Sequence, residues 1–169
     1  VRKEIELKKG LFIFLTIIFL TACGSDDNTE LDNFTSAFNN AAESRDVKKL
    51  DSDEFGEIKV EDGRGWQALY DSNDYTIDAK YEDGENLSGY YLVIDNRDSF
   101  EMQSGDGYWT GVTIARALDL DSKNYIHEYG KALKTTSHSY IDSDYIVSFT
   151  NPGEDGLTSA GTIINFDKR

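Results

Sequence analysis

Thirty-two Asp and Glu residues stand against 17 Lys and Arg, so carboxylate chemistry comes first. The most ordered spacing is Asp51-Ser-Asp53-Glu-Phe-Gly56-Glu-Ile-Lys-Val-Glu-Asp62, with acids at positions one, three and twelve and glycine at six. A twelve-residue calcium loop needs that order, because alternate oxygens and a glycine bend wrap the chain around the ion. Here Phe55 at position five offers no side-chain oxygen, Asp62 is shorter than the bidentate Glu such loops end on, and no helix follows. The stretch reads better as an acidic turn entering a strand, with Asp51, Asp53 and Asp62 as the calcium candidates. Asp95, Asp98 and Asp106 form a looser acidic group. The two histidines, His127 and His138, lack the close spacing that seats two imidazoles on one ion. His127 reads as polar helix surface. His138 lies in the polar stretch 135–139 between Ser137 and Ser139, but sequence neighbours rarely meet in nucleophile–base geometry and no Gly-x-Ser-x-Gly elbow occurs. Gly105-Asp-Gly107-Tyr-Trp-Thr-Gly111 fails as a dinucleotide loop, since three residues separate its last two glycines and no apolar strand precedes it. A cell-envelope hydrolase could use any acidic pair that folding brings together, yet no spacing singles one out.

Aromatic surface is the other resource. Ten Tyr and two Trp supply large contact area with a polar tip, which suits protein or glycan interfaces. Core packing competes for the same residues. Tyr90 and Tyr91 are adjacent in a strand-like run and must point to opposite faces, so one of them leaves a one-sided core. Tyr108-Trp109, between Gly107 and Gly111, is expected on an exposed loop. Tyr91, Tyr108 and Trp109 are therefore the partner-binding candidates.

The single cysteine excludes an intrachain disulfide framework and a zinc site built on several thiolates. It is Cys23, and its surroundings are specific. Arg2, Lys3, Lys8 and Lys9 precede the apolar run Leu11–Leu20, then Thr21-Ala22-Cys23. Ten helical residues span about 15 Å, half of a ~30 Å hydrocarbon core, so the run is too short to cross a membrane and reads as a secretory leader. Leu20-Thr21-Ala22-Cys23 resembles the lipobox of bacterial lipoproteins. The resemblance covers residues 1–23 and implies diacylglyceryl transfer to the Cys23 thiol, with cleavage between Ala22 and Cys23. Glu4 and Glu6 depart from the basic leader pattern and, with Val1 first, point to a translation start further along. Two acyl chains anchor durably where one anchors marginally, which implies a protein held on the extracytoplasmic face of a cell membrane.

Removing residues 1–22, with four basic and two acidic side chains, takes the net charge from −15 to −17. That charge excludes a nucleic-acid binder, which needs a basic face, and suits either plain solubility or attraction of a basic protein. The domain reading is a leader at 1–22, a lipidated Cys23 with a polar tether at 23–30, and one domain at 31–169.

Within that domain Leu31, Phe34, Phe38, Ala41 and Ala42 step by helical spacing, which predicts a helix over 31–45. The period then changes to two. Tyr75, Ile77, Ala79 and Tyr81 alternate with polar residues, the polar turn 82–86 follows, and residues 89–94 supply an antiparallel partner. Shorter strand-like pieces fall at 55–60 and 66–70, a loop at 95–107, helical spacing at 113–118 and 124–134 with Asp121 or Ser122 as N-cap, and a second hairpin at 144–150 and 158–166. Two short matches, Ala68-Leu69 with Tyr75 and Ala132-Leu133 with Tyr140, hint at an internal duplication. The order predicts an α+β fold: an N-terminal helix on a mostly antiparallel sheet with one or two further helices. The functional expectation is a lipid-anchored, non-enzymatic binding module for a basic protein, of inhibitor or immunity type. An envelope hydrolase with an acidic pair and a calcium-dependent adhesion module are the alternatives.

Overall fold

The computed structural model describes residues 26–95, 98–100, 102–151 and 161–169, with side-chain surroundings from residue 29 onward. The expected leader, its Ala22–Cys23 cleavage point and the lipidated Cys23 lie outside the described residues. Helix α1 is Asp26–Ala42. Its Leu31, Phe34, Phe38 and Ala42 form one buried stripe, and Phe34 stacks on Tyr90 with ring centroids 3.8 Å apart. The helix begins earlier than predicted. Residues 26–30 are helix and not tether, and Glu30 is held by an ion pair to Lys168. From within α1 the Asn39 amide brackets Leu50 of the following segment, donating to its carbonyl at 2.8 Å and accepting its N–H at 2.7 Å.

Two hairpins follow. Strand β1 (Lys59–Glu61) turns into β2 (Arg64–Asp71), and β3 (Tyr75–Glu82) turns into β4 (Asn86–Ile94). Both turns have positive φ at two successive residues, Asp62–Gly63 and Asp83–Gly84, the backbone that matches the right-handed twist of a hairpin. Then come α2 (Asp106–Ala117) and α3 (Ser122–Ala132), the latter capped by Asp121 accepting from Lys123 and Asn124. Strands β5 (Ser137–Asp142), β6 (Tyr145–Thr150) and β7 (Thr162–Lys168) complete a seven-stranded sheet in the order β1-β2-β3-β4-β7-β6-β5. Every neighbouring pair is antiparallel.

The α+β class is as expected, and the three helices pack on one face of the sheet. Tyr75, Ile77, Ala79, Tyr90, Leu92, Ile94, Val147, Phe149, Ile164 and Phe166 meet them in one continuous core. Residues 106 and 107, assigned to a loop, open α2 instead. Glycine there permits close packing: a Cβ on Gly107 would come within 2.7 Å of Ile94, and one on Gly111 within 2.1 Å of the Tyr125 hydroxyl. The hint of a duplication is not followed, because Ala68-Leu69 is strand whereas Ala132-Leu133 ends a helix. Strand β5 replaces most of the expected polar loop around His138. Of the second hairpin's expected turn, 151–156, all but Asn151 falls outside the described residues, as do residues 158–160 of its expected second strand.

Candidate functional site

The sheet has a second face, and among the described residues no helix covers it. Alternation assigns its members. On β3 the buried Tyr75, Ile77, Ala79 and Tyr81 alternate with half-buried Thr76, Asp78 and Lys80, and on β4 Tyr90 and Leu92 alternate with Tyr91 and Val93. The register then lines up side chains across strands. One row runs Ala68, Asp78, Tyr91, Asn165, Ser148, Ser139. A second runs Trp66, Lys80, Gly89, Asp167, Ile146, Ile141. A third includes Asp71, Thr76, Val93 and Ile163.

Gly89 shapes the middle of this face. Its φ is +154°, and a Cβ there would lie 2.1 Å from the Phe166 carbonyl oxygen. The bare backbone lets the Lys80 ammonium on β3 reach over β4 to an ion pair with Asp167 on β7, and also donate to Asn165 Oδ1 at 3.2 Å. Lys80 is thereby committed, leaving Asp78 in the row of Tyr91 and Asp71 in the third row as the nearby acids. Burial, then the neighbouring Asp71, raises the Asp78 carboxyl above its ordinary value, with Lys59 offsetting part of this. Burial and the charges of Asp78 and Asp95 likewise raise the Tyr91 phenol. A cation approaching this face would relieve both.

Tyr91 is where it was expected, with its neighbour Tyr90 in the core. Tyr108 is not. It is 1% exposed on α2, edge-on to Tyr129 at 5.0 Å, and so forms core and not a contact loop. Trp109, also on α2, is partly buried, donates Nε1–H to the Gln103 carbonyl at 3.1 Å and carries the Arg45 guanidinium 4.3 Å above its ring. The sequence signal that misled was the glycine content of residues 105–111, which serves helix packing.

The calcium reading finds no support in the loop geometry. Asp51 spends an oxygen capping the short 3-10 turn at Ser52–Glu54, while Asp62 sits in the β1–β2 turn at positive φ. Among the described residues no group of three His, Cys, Asp or Glu is placed to hold a metal. The Ser–His arrangement is excluded by alternation: Ser137 and Ser139 point to the open face of β5, whereas His138 points toward the helices. There His138 Nε2 lies 2.5 Å from Glu128 Oε2, and Lys131 Nζ donates to Glu128 Oε1 at 2.6 Å. Glu128 is only 8% exposed. The Lys131 hydrogen bond leads in lowering its carboxyl below the ordinary value, burial opposes, and the His138 bond adds to the lowering. No sequence spacing announced this clasp, because its members sit ten residues apart on a helix and a strand.

A cavity of about 160 Å³ lies between the chain leaving α1, the β2–β3 turn and the start of α2. No protein-family model, curated protein or solved structure matches the chain.

Proposed function

We propose that the protein is a lipid-anchored, extracytoplasmic binding module that offers the open face of its sheet to a basic polypeptide. The observation that carries this is the arrangement around Tyr91. An aromatic ring, a row of hydrogen-bonding side chains and the Asp78 carboxyl, raised by burial, lie on one broad surface, flanked by Trp66, Val93, Ile163 and Ile146. Broad aromatic and acidic surface suits a protein contact, whereas an acidic-pair hydrolase needs carboxylates converging in a deep pocket. Attraction by the net charge of −15 speeds encounter with a basic partner and weakens with salt. Anchoring through acyl groups on Cys23 is part of the same proposal.

A photo-crosslinking amino acid at position 91, in cells producing the full chain, tests it. The expected product is a defined adduct with a basic protein, diminished by salt, and absent when the same group replaces exposed His127 on α3. Equal labelling from both positions, or none from 91, refutes the reading. Radiolabelled palmitate incorporation, lost in Cys23→Ser, tests the anchor separately.

A further inference from the structure

The sheet ends in two unlike edges. Strand β1 has three residues, of which Lys59 and Glu61 carry charge, and short charged edges resist pairing with another chain. Strand β5 has six residues with no proline or lysine among them, and its only acid is the last, Asp142. Residues 129–141 hold no acid at all, in a chain with 32. Beside this edge Ile141 and its cross-strand neighbour Ile146 are exposed, as is Leu133 at the end of α3.

The ladder fixes which backbone groups β5 leaves open. Asn151 donates its N–H to the Thr136 carbonyl at 2.9 Å, and Arg169 donates its N–H to the Asp144 carbonyl at 2.9 Å. Antiparallel ladders alternate bonded and non-bonded pairs, so both contacts place the bonded pairs of β5 with β6 on His138, Tyr140 and Asp142. Ser137, Ser139 and Ile141 therefore aim their N–H and C=O groups away from β6, and no hydrogen-bond partner meets those groups among the described residues. The strand is also polar in charge along its length. Lys131 and Lys134 precede it, and Asp142 and Asp144 stand at its far end. Among the described residues Lys134, Asp142 and Asp144 make no salt bridge.

We propose that β5 is the docking strand for a second copy of this chain, paired antiparallel about a two-fold axis at Ser139. Centred there, Ser139 faces its own counterpart and Ser137 faces Ile141 on either side, three narrow pairs that exchange about six hydrogen bonds. His138 and Tyr140 oppose each other on the helix side, so no like charges meet within the ladder. Beyond its ends, the Lys134 end of each copy meets the Asp142–Asp144 turn of the other. A parallel pairing would instead set acids against acids. Two copies at a net charge of −15 repel over most of their surfaces, and this acid-free edge is where they can touch. The inference does not rest on the sheet-face reading, since it uses backbone at the edge and not the side chains around Tyr91.

Sedimentation equilibrium of the detergent-solubilised full chain, from micromolar to millimolar concentration, tests the proposal. A monomer–dimer equilibrium is expected, with no larger species. Ser139→Pro removes the central outward N–H and is expected to weaken association tenfold or more. Lys134→Asp and Asp144→Lys each act twice by symmetry and are singly expected to weaken it as much. The double variant carrying both reverses each end of the contact and is expected to regain most of the parent affinity. Lys59→Gln, on the opposite edge, is expected to leave it unchanged. Lys134 and Asp144 are exposed, so the charge variants carry the test without the proline, and an unchanged melting midpoint confirms their fold. Monomer at every concentration overturns the proposal, as does growth into larger assemblies. So does a double variant no better than the two single ones, or an equal loss in Lys59→Gln.

Discussion

Tyr125 and Tyr129 sit one helical turn apart on α3, both fully buried, and differ in the fate of one hydroxyl. Tyr129 donates to the Phe100 carbonyl at 2.8 Å. The Tyr125 hydroxyl has no hydrogen-bond partner among the described residues and abuts the backbone of α2 at Gly111. An unsatisfied buried polar group costs about 1–3 kcal/mol. Tyr125→Phe removes that cost and leaves a hole of one oxygen atom. At ~24 cal/mol per Å³ of cavity and roughly 15 Å³, the hole costs about 0.4 kcal/mol. The net expectation is a gain of about 1–2 kcal/mol. Tyr129→Phe instead loses a made bond and strands the Phe100 carbonyl, for a loss of about 1–2 kcal/mol. Guanidinium unfolding of both variants beside the parent chain, compared at constant m, reads the difference as a shift in midpoint. At 2–4 °C per kcal/mol, melting should separate the two phenylalanine variants by roughly 8 °C. If Tyr125→Phe proves as damaging as Tyr129→Phe, the Tyr125 hydroxyl is satisfied, by an ordered water for example, and the reasoning fails.

Gly111→Ala should cost more than 1 kcal/mol despite alanine's better helix propensity of about 1 kcal/mol, because its Cβ would sit 2.1 Å from that same hydroxyl. Tyr125→Phe should restore part of the loss, and strict additivity in a double-mutant cycle would contradict the contact. Glu128 has a lowered carboxyl pKa, so its contribution is present above its ordinary value of 4.5 and fades as pH falls through the lower folded value. Glu128→Gln should therefore destabilise at pH 7 and converge on the parent in strong acid; parallel pH profiles would argue otherwise. Asp78 is raised, so its charged form opposes folding at neutral pH, and Asp78→Asn should lift the melting midpoint at pH 7. The gain should shrink as pH falls toward 3.8, while crosslinking from position 91 weakens; a midpoint lowered at pH 7 would refute the assignment. Gly89→Ala should abolish cooperative melting, since its Cβ meets the Phe166 carbonyl of the neighbouring strand β7, and a parent-like transition would show the β4–β7 register to be misplaced.

Where one side of an element is apolar and the other polar, the sequence announced it. The stripe Leu31–Phe34–Phe38 and the alternation Tyr75–Tyr81 each commit a face to the core; the strand formed close to its expected bounds, while the helix starts five residues before its first expected residue and ends at Ala42. Strand β5 hid because it lies at a sheet edge, where Ser137, Ser139 and Ile141 face solvent and even its inner side is only half buried. The start of α2 hid for the opposite reason. Its glycines looked like loop, yet they let the helix sit directly on Ile94 and Tyr125. Tyr91 was legible because neighbouring strand residues must diverge. The open grid around it was not, since it depends on strands β3, β4 and β7 being adjacent although about seventy residues separate the last two.

Strand β7 follows every other strand in the chain but lies between β4 and β6, in the interior of the sheet. Until it arrives, the earlier meander and the β5–β6 hairpin have no shared ladder, and each presents a raw edge. The growing polypeptide therefore cannot lock shut ahead of its closing segment.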